Sequence, residues 1–167
     1  NGYVAACAAA AETCGNGCDD NGNGAIDEGC VVTPPNDLCT GATPYTIGST
    51  VSGTTIGAID NYASSCGGAS ASPDVVYSFV ADGSARSYRI HVDTVSHDGT
   101  IHIHRASTCA AGDEVACNDD FGTTRASELT LNNLAAGTYY IVVDGFASGN
   151  SGPFTLTSST TPLSADV

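Results

Sequence analysis

Tyr88-Arg-Ile-His-Val92 and Thr100-Ile-His-Ile-His104 are the two stretches from which the fold is predicted. In both, apolar side chains alternate with polar ones, a period of two that is typical of a strand with one buried face. In the second stretch, Ile101 and Ile103 are therefore expected in the core. We expect the histidines of both stretches to lie on the solvent side of their strands.

Short runs with the same period continue along the chain from residue 37 onwards. Clusters of Gly, Ser, Asn and Asp separate them, and no long stretch has the period of a helix. Short strands at this spacing predict an all-β fold, an antiparallel β-sandwich or jelly roll. The runs predicted as strands are residues 45–51, 54–59, 74–80, 88–95, 100–105, 114–117, 128–134, 138–144 and 154–157.

An oxygen-rich loop precedes the strands: Cys14-Gly-Asn-Gly-Cys-Asp-Asp-Asn-Gly-Asn-Gly-Ala-Ile-Asp-Glu-Gly-Cys30. From Asp19 it follows the EF-hand-type calcium pattern. Alternate side chains present oxygen to the ion, and Gly24 permits the sharp turn. Calcium takes six to eight oxygens at about 2.4 Å, which this spacing supplies. The predicted ligands of this first calcium site are Asp19, Asn21, Asn23, the carbonyl of Ala25, Asp27 and Glu28.

The loop departs from the EF-hand pattern at its twelfth position, where Cys30 replaces the closing glutamate. Flanking helices are not predicted either, so Asp27, Glu28 or water must close the site. In this form the segment resembles the calcium repeats of thrombospondin type 3 and dockerin modules. It resembles most the Cys-Gly-Asn-Gly segments of bacterial surface proteins that are described as metal-binding motifs. The alternative interpretation is an Asn- and Gly-rich turn with solvated acids.

A second calcium site is predicted where several oxygen side chains follow one another after a strand. Its candidate ligands are Asp98, Asn118, Asp119 and Asp120. Asp98 opens a predicted strand, and Asp74 or Asp37 is an alternative partner that would converge on the same place. Clustered carboxylates in so acidic a chain need either a cation or open solvent. The alternative is a type I turn with Asx hydrogen bonds.

The histidines allow a different metal interpretation. His102 and His104 share a strand face, and His91 is expected on what would be a neighbouring strand. Such a pair can chelate zinc. No third ligand is fixed by the sequence, so the solvent-side interpretation is favoured.

The eight cysteines predict disulfides and an oxidising compartment, so the protein is expected to be secreted, extracellular or at the cell surface. Eight cysteines allow 105 connectivities, which proximity and domain boundaries narrow. The pairs predicted are Cys7–Cys18, Cys14–Cys30, Cys39–Cys66 and Cys109–Cys117. The first two would tie down a small N-terminal module that is too short for a core of its own.

The N-terminal region is expected to be separate from the sandwich. Residues 1–13 form an apolar arm, residues 14–35 the disulfide-rich calcium-loop module with its connector, residues 36–160 the β-sandwich, and residues 161–167 a tail. An exposed apolar arm either folds back onto its own chain or docks on a neighbouring one. The sequence leaves both alternatives open.

The charge of the chain excludes several classes of partner. Its 167 residues carry a formal net charge of −14, with four cationic side chains, all of them arginine. Such a surface repels nucleic-acid phosphates and anionic lipids. No apolar run approaches the length of a membrane span, so neither nucleic-acid binding nor membrane insertion is expected.

A series of five short motifs resembles the bacterial pre-peptidase C-terminal domain over residues 36–158. In order, they are Pro35-Asn-Asp-Leu-Cys39, Asp74-Val-Val-Tyr-Ser-Phe79, Ala116-Cys-Asn-Asp-Asp120, Leu134-Ala-Ala-Gly-Thr-Tyr-Tyr-Ile-Val-Val-Asp-Gly145 and Gly152-Pro-Phe-Thr-Leu156. The resemblance implies a β-sandwich related to the collagen-binding modules of secreted collagenases. It also implies a non-catalytic domain of secreted hydrolases or surface proteins, some of which bind calcium.

The functional prediction is a protein without enzyme activity, because no nucleophile elbow, metalloprotease motif, P-loop or dinucleotide fingerprint occurs in the sequence. We predict a structural or adhesive subunit of an extracellular filament or cell surface, self-associating through residues 1–11. The alternative is a targeting module that works with a secreted hydrolase and binds a glycan or an extracellular protein. Tyr45, Tyr62 and Phe146, expected in loops, would then be available to stack on sugars.

Overall fold

The computed structural model describes residues 19, 22, 33–67, 71–94 and 96–164. The chain divides into two compact units, Asn1–Thr33 and Pro34–Val167. The apolar arm, most of the first calcium site and the pairs Cys7–Cys18 and Cys14–Cys30 lie outside the described residues, so these stay predictions. No helix in the described part of the chain is long and apolar enough to cross a membrane.

The second unit is built from strands, which confirms the predicted all-β fold. Two short 3-10 helices, Cys39–Gly41 and Ala111–Asp113, interrupt them. The strands are β1 (Thr43–Pro44), β2 (Thr50–Thr54), β3 (Val75–Ala81), β4 (Arg86–Thr94), β5 (Gly99–His104), β6 (Glu114–Asn118), β7 (Ser127–Asn132), β8 (Gly137–Gly145) and β9 (Pro153–Pro162).

The strands form two sheets. The five-stranded sheet has the order β1-β3-β8-β5-β6, and the four-stranded sheet has the order β2-β9-β4-β7. All neighbours are antiparallel except β1 and β3. Because consecutive strands repeatedly change sheet, each sheet combines strands that are distant in sequence.

The alternating apolar residues of both sheets meet in one core. Ile101 and Ile103 from β5, and Ile90 from β4, are fully buried there, as their period predicts. Burying a side chain of this size stabilises the fold by about 1.5–3 kcal/mol. The rings of Phe79 and Tyr139 stack within this core at a centroid distance of 5.6 Å. The core therefore lies between two sheets, as in a β-sandwich.

Two predicted strands are wrong. Residues 45–49 contain a turn that the Ser49 amide closes by donating to the Thr46 carbonyl at 3.0 Å. Residues 55–58 contain a second turn, in which the Ala58 amide donates to the Thr55 carbonyl at 3.1 Å. The strand actually present, β2, occupies the interval between them. Gly48, with a φ of 93°, has a left-handed backbone, which interrupts the first predicted strand, residues 45–51.

The five-stranded sheet is also covered on the face that points away from the core, which we call the outer face. Val76 and Val142 lie on this face, since their neighbours along the strands face the core. They pack in a second small apolar cluster with Cys39 and Cys109. Tyr62 contacts the same cluster, and its hydroxyl accepts a hydrogen bond from the Cys39 amide at 2.8 Å.

The predicted pairs Cys39–Cys66 and Cys109–Cys117 are wrong. Cys39 is bonded to Cys109 with a Cα–Cα distance of 6.2 Å, and Cys66 is bonded to Cys117 with a Cα–Cα distance of 5.8 Å. Cys117 lies opposite His102 within the β5–β6 pair. It is three residues, or roughly 10 Å, beyond the start of β6, whereas Cys109 lies in the loop before that strand. Both bonds therefore attach distant segments to the outer face, as is usual for proteins of oxidising compartments.

Candidate functional site

The predicted second calcium site lies at one end of the five-stranded sheet. Asp98 immediately precedes β5, and Asp119 and Asp120 immediately follow β6. Since these strands are antiparallel neighbours, with Ile101 opposite Asn118, the start of one and the end of the other meet at the same edge. The topology thus brings together residues that are about twenty positions apart in the sequence.

The three carboxylates converge. One oxygen each of Asp98, Asp119 and Asp120 lies within 4.8 Å of the others. The Oδ1 atoms of Asp98 and Asp119 are buried, and no described residue donates a hydrogen bond to them. The same holds for Oδ1 of Asn118, which precedes them in the chain. Buried oxygens without donors are costly, and a cation is one way to satisfy them.

Three hydrogen-bonded contacts hold the loops of this site in place. The hydroxyl of Ser127, the first residue of β7, contacts the backbone carbonyls of both Gly99 and Asp119. The Phe146 amide, which follows β8, donates to the Asp98 carbonyl at 3.0 Å. Together these contacts fix the backbone on both sides of the carboxylates. Ser127 is fully buried, and the predictions from sequence did not include it.

The electrostatics of the site favour bound positive charge. Burial, followed by the negative charges of Asp120 and Asp98, raises the pKa of Asp119 to about 6. No cationic side chain is among the causes of the shift at Asp119. A divalent cation would reverse this repulsion.

The donor set fits calcium. All three converging groups are carboxylates, which suit hard cations such as calcium rather than zinc. Backbone carbonyls or water would complete a shell of six to eight oxygens. At the first predicted site, the described residue Asp19 accepts a hydrogen bond through Oδ1 from the Gly22 amide at 2.7 Å. Both a calcium loop and a simple turn contain such a bond, so that site stays a prediction.

Asp74 and Asp37, the alternative partners, are not part of the converging group. Asp37 accepts hydrogen bonds from the Ile59 amide at 2.6 Å and from the Asn61 side chain at 2.9 Å. The Oδ2 of Asp74 accepts from the amides of Asn61 at 2.7 Å and Tyr62 at 3.0 Å. These carboxylates therefore hold residues 59–62 in place.

The sequence did not predict that Asp74 and Asp144 are both buried. Burial is the main cause that raises the pKa of Asp74 to about 7 and that of Asp144 to about 8, and the charge of Asp74 adds to the shift at Asp144. Asp144 is the eighth residue of β8 and lies opposite Thr100 of β5. In the sequence, Asp144 is the acid that ends an apolar run. An acid in that position is equally typical of a strand end that lies in solvent, so the sequence does not indicate its burial.

The solvent-side prediction for His102 and His104 is wrong, because both side chains are fully buried on the outer face. His91 does not lie on a neighbouring strand; it belongs to the four-stranded sheet, where its Nδ1 is 3.1 Å from Oε2 of Glu128. The third group near the buried pair is Glu114, which the sequence did not single out. Its Oε2 lies 3.9 Å from Nδ1 of His102.

None of the three aromatic residues proposed for sugar stacking is fully exposed, and Phe146 is half-buried. Tyr45 is buried, and its hydroxyl donates to the Ser49 carbonyl at 2.7 Å. Tyr62 packs on the outer face as described above. Phe121 is instead an exposed ring, edge-on to His91 at a centroid distance of 5.6 Å.

No family model and no curated protein matches the chain. Among solved structures, it is similar to the pre-peptidase C-terminal domain of collagenase from Bacillus anthracis, with 22% identity and a TM-score of 0.50 over 71% of this chain and 94% of that one. It is also similar to PliG from Aeromonas hydrophila, a periplasmic inhibitor of g-type lysozyme, with 18% identity and a TM-score of 0.49 over 72% and 96%. At such identities, the first likeness supports the sandwich fold of the pre-peptidase C-terminal type and extends no further.

Proposed function

We propose that this chain is a calcium-binding β-sandwich module without catalytic activity, which works outside the cell. The observation that carries the proposal is the convergence of Asp98, Asp119 and Asp120 around buried oxygens that have no donor among the described residues. Calcium there would link the start of β5 to the end of β6. The ion would act by stabilising the sheet edge rather than by activating a substrate.

An extracellular structural role is the favoured context. Two disulfides fix the outer face, and the chain carries a net charge of −14 that bound calcium would partly neutralise. Residues 1–11 are apolar and would add to the sheet edge of a neighbouring copy, giving a filament or adhesive layer. Truncation of residues 1–11 should then convert fibres into dispersed sandwich units, as measured by electron microscopy and sedimentation.

The second candidate function is a targeting module beside a secreted hydrolase. It is supported by the fold likeness to the pre-peptidase C-terminal domain of a collagenase. A stable monomer that binds collagen or a glycan, and forms no fibres with residues 1–11 present, would favour this function over assembly. Binding by both the intact and truncated chains would show that the arm is not the binding element.

Calcium binding is tested with the full chain after chelation. We expect calcium to raise the melting temperature, and Asp119→Asn to weaken the calcium dissociation constant about tenfold or more, because it removes one charged ligand. The matched control is Asp82→Asn, since Asp82 follows β3 at the opposite end of the sheet. Isothermal titration calorimetry and thermal unfolding provide the measurements.

The first predicted calcium loop requires a separate variant. The double variant Asp19→Asn, Asp27→Asn leaves the sheet-edge site intact. The calcium titration should therefore lose only the binding step that belongs to residues 19–28. Equal calcium affinity in the wild type and in Asp119→Asn would contradict the sheet-edge site. Melting that is unaffected by calcium in every variant would contradict the whole proposal.

A further inference from the structure

We propose that His102, His104 and Glu114 form a metal site that is chemically different from the predicted calcium sites. It binds a zinc-class transition-metal ion on the outer face of the five-stranded sheet. This site does not depend on the proposed calcium function. Its ligands are two imidazoles and one carboxylate, whereas the sheet-edge group contains carboxylates alone. Imidazole nitrogen is a preferred ligand of zinc, and a zinc ion held by three protein ligands completes its tetrahedron with a water molecule.

The strand geometry points all three groups to one place. His102 and His104 are two positions apart on β5 and therefore share a face, and Glu114 is the β6 residue opposite His104. Nδ1 of His102 lies 2.7 Å from Nε2 of His104 and 3.9 Å from Oε2 of Glu114. One ligand atom from each residue lies within 4.8 Å of the other two. Ligand atoms of tetrahedral zinc are roughly 3.3 Å apart, so small side-chain rotations suffice.

Three further contacts orient the ligands from behind. Nδ1 of His104 lies 3.2 Å from the Ala110 carbonyl, which can only accept a hydrogen bond. That nitrogen therefore carries the proton, and the lone pair of Nε2 faces His102. Oε2 of Glu114 accepts from the Ser65 amide at 3.0 Å, and Oε1 is bonded to the Ser65 hydroxyl. Metal-ligating histidines and carboxylates typically have such outer partners.

Both imidazoles are fully buried, and one ring nitrogen of each lies within 4.8 Å of a Glu114 carboxylate oxygen. Without metal, a proton on Nδ1 of His102 occupies the space between the rings and bonds to Nε2 of His104. A metal ion bound at Nδ1 of His102 would move that proton to Nε2 of the same ring, which has no hydrogen-bond partner among the described residues, and would bind all three groups.

The bound ion would join segments that the nearby disulfide already brings together. Cys117 is opposite His102 on β6, and its partner Cys66 follows Ser65, the residue that holds Glu114. An ion at this place would link β5, β6 and the segment around Ser65. The predicted role is therefore a structural cross-link of the outer face.

Cobalt(II) is the probe that tests the proposal. The full chain is stripped with chelator, saturated with calcium so that the oxygen sites are filled, and titrated with Co²⁺ at pH 7.5. We expect the visible absorption bands of tetrahedral cobalt at one equivalent, followed by their loss when Zn²⁺ is added. The variant Glu114→Gln should weaken the affinity for zinc about 100-fold or more, because it removes the one charged ligand.

His91→Gln is the matched control, since His91 also lies beside a glutamate but has no second imidazole. It should leave the cobalt bands and the zinc affinity unchanged. His104→Gln, checked for folding by circular dichroism, should abolish the bands. If that variant does not fold, Glu114→Gln, which keeps the size of the side chain, still provides the test. Absence of tetrahedral bands in the wild type, or unchanged zinc affinity in Glu114→Gln, would overturn the proposal.

Discussion

Strands β4 and β5 carry nearly the same sequence pattern but have different environments. In β4 the apolar residues Ile90 and Val92 are buried, while Arg89 is exposed and His91 is half-buried. In β5 every residue is buried, including both histidines. The four-stranded sheet leaves this part of its polar face accessible, whereas segments from elsewhere in the chain cover the outer face of the five-stranded sheet.

The difference shows what a period of two does and does not specify. It determines which side chains share the core face, because successive residues of a strand point to opposite sides. It does not determine what lies over the other face. In β5 that environment is set by Cys39, Cys66 and their bonded partners, which are 70 and 51 residues away in the sequence.

The largest effect is expected from uncovering the outer face. Replacing Cys39 and Cys109 by serine should lower the free energy of unfolding by about 4 kcal/mol, as expected for a cross-link between residues 70 apart. Urea unfolding measures the loss. Amide hydrogen exchange should show that β5 and β6 lose protection before β4 and β9 do.

The Cys66→Ser, Cys117→Ser variant gives a second measurement on the same face. It should lose a similar free energy, because the residues are 51 apart. Equal loss of protection in both sheets would mean that the disulfides stabilise the whole sandwich rather than the covered face. A loss below about 1 kcal/mol would contradict the chain-entropy argument.

The second effect is a pH dependence that belongs to the covered sheet. The pKa values of Asp74 and Asp144 are raised from 3.8 to about 7 and about 8. Between pH 4 and pH 8 the folded state therefore binds more protons than the unfolded state, so stability falls as the pH rises through this window. Asp74→Asn should raise the free energy of unfolding at pH 8 by roughly 2–4 kcal/mol and much less at pH 5.

Urea unfolding at pH 5, 6, 7 and 8 with chelator present checks this slope. The asparagine oxygen can still accept from the Asn61 and Tyr62 amides, so the variant tests charge rather than hydrogen bonding. Asp82→Asn is the control, because the Ser84 hydrogen bonds lower the pKa of Asp82, which titrates below this range. A stability gain that is the same at pH 5 and pH 8 would show that the charge of Asp74 is not its cause.

The same distinction explains how much the sequence could predict. The alternation of Ile101 and Ile103 was sufficient to predict which face of β5 enters the core. The sequence named Asp98, Asp74 and Asp37 as alternative partners of Asp119, and the pairing of β5 with β6 selects Asp98 among them. The pairing of Cys39 with Cys109 depends on strand order, which the local pattern does not contain. His102 lies opposite Cys117 on the outer face, and a period of two carries no information about which segments cover that face.

The smallest effect is expected on the accessible face of the four-stranded sheet. Glu128 forms an ion pair with Arg89, whose Nε lies 2.8 Å from Oε1, and its Oε2 lies 3.1 Å from Nδ1 of His91. Because the Arg89 side chain is 49% exposed, water screens much of this attraction. Glu128→Gln should therefore cost about 0.5–1 kcal/mol, and 1 M salt should reduce the difference. Urea unfolding measures this cost. A cost above about 2 kcal/mol would mean that the contact of Glu128 with His91 is as strong as a buried ion pair. The outer face of the five-stranded sheet and the accessible face of the four-stranded sheet would then differ in exposure but not in the strength of their polar contacts.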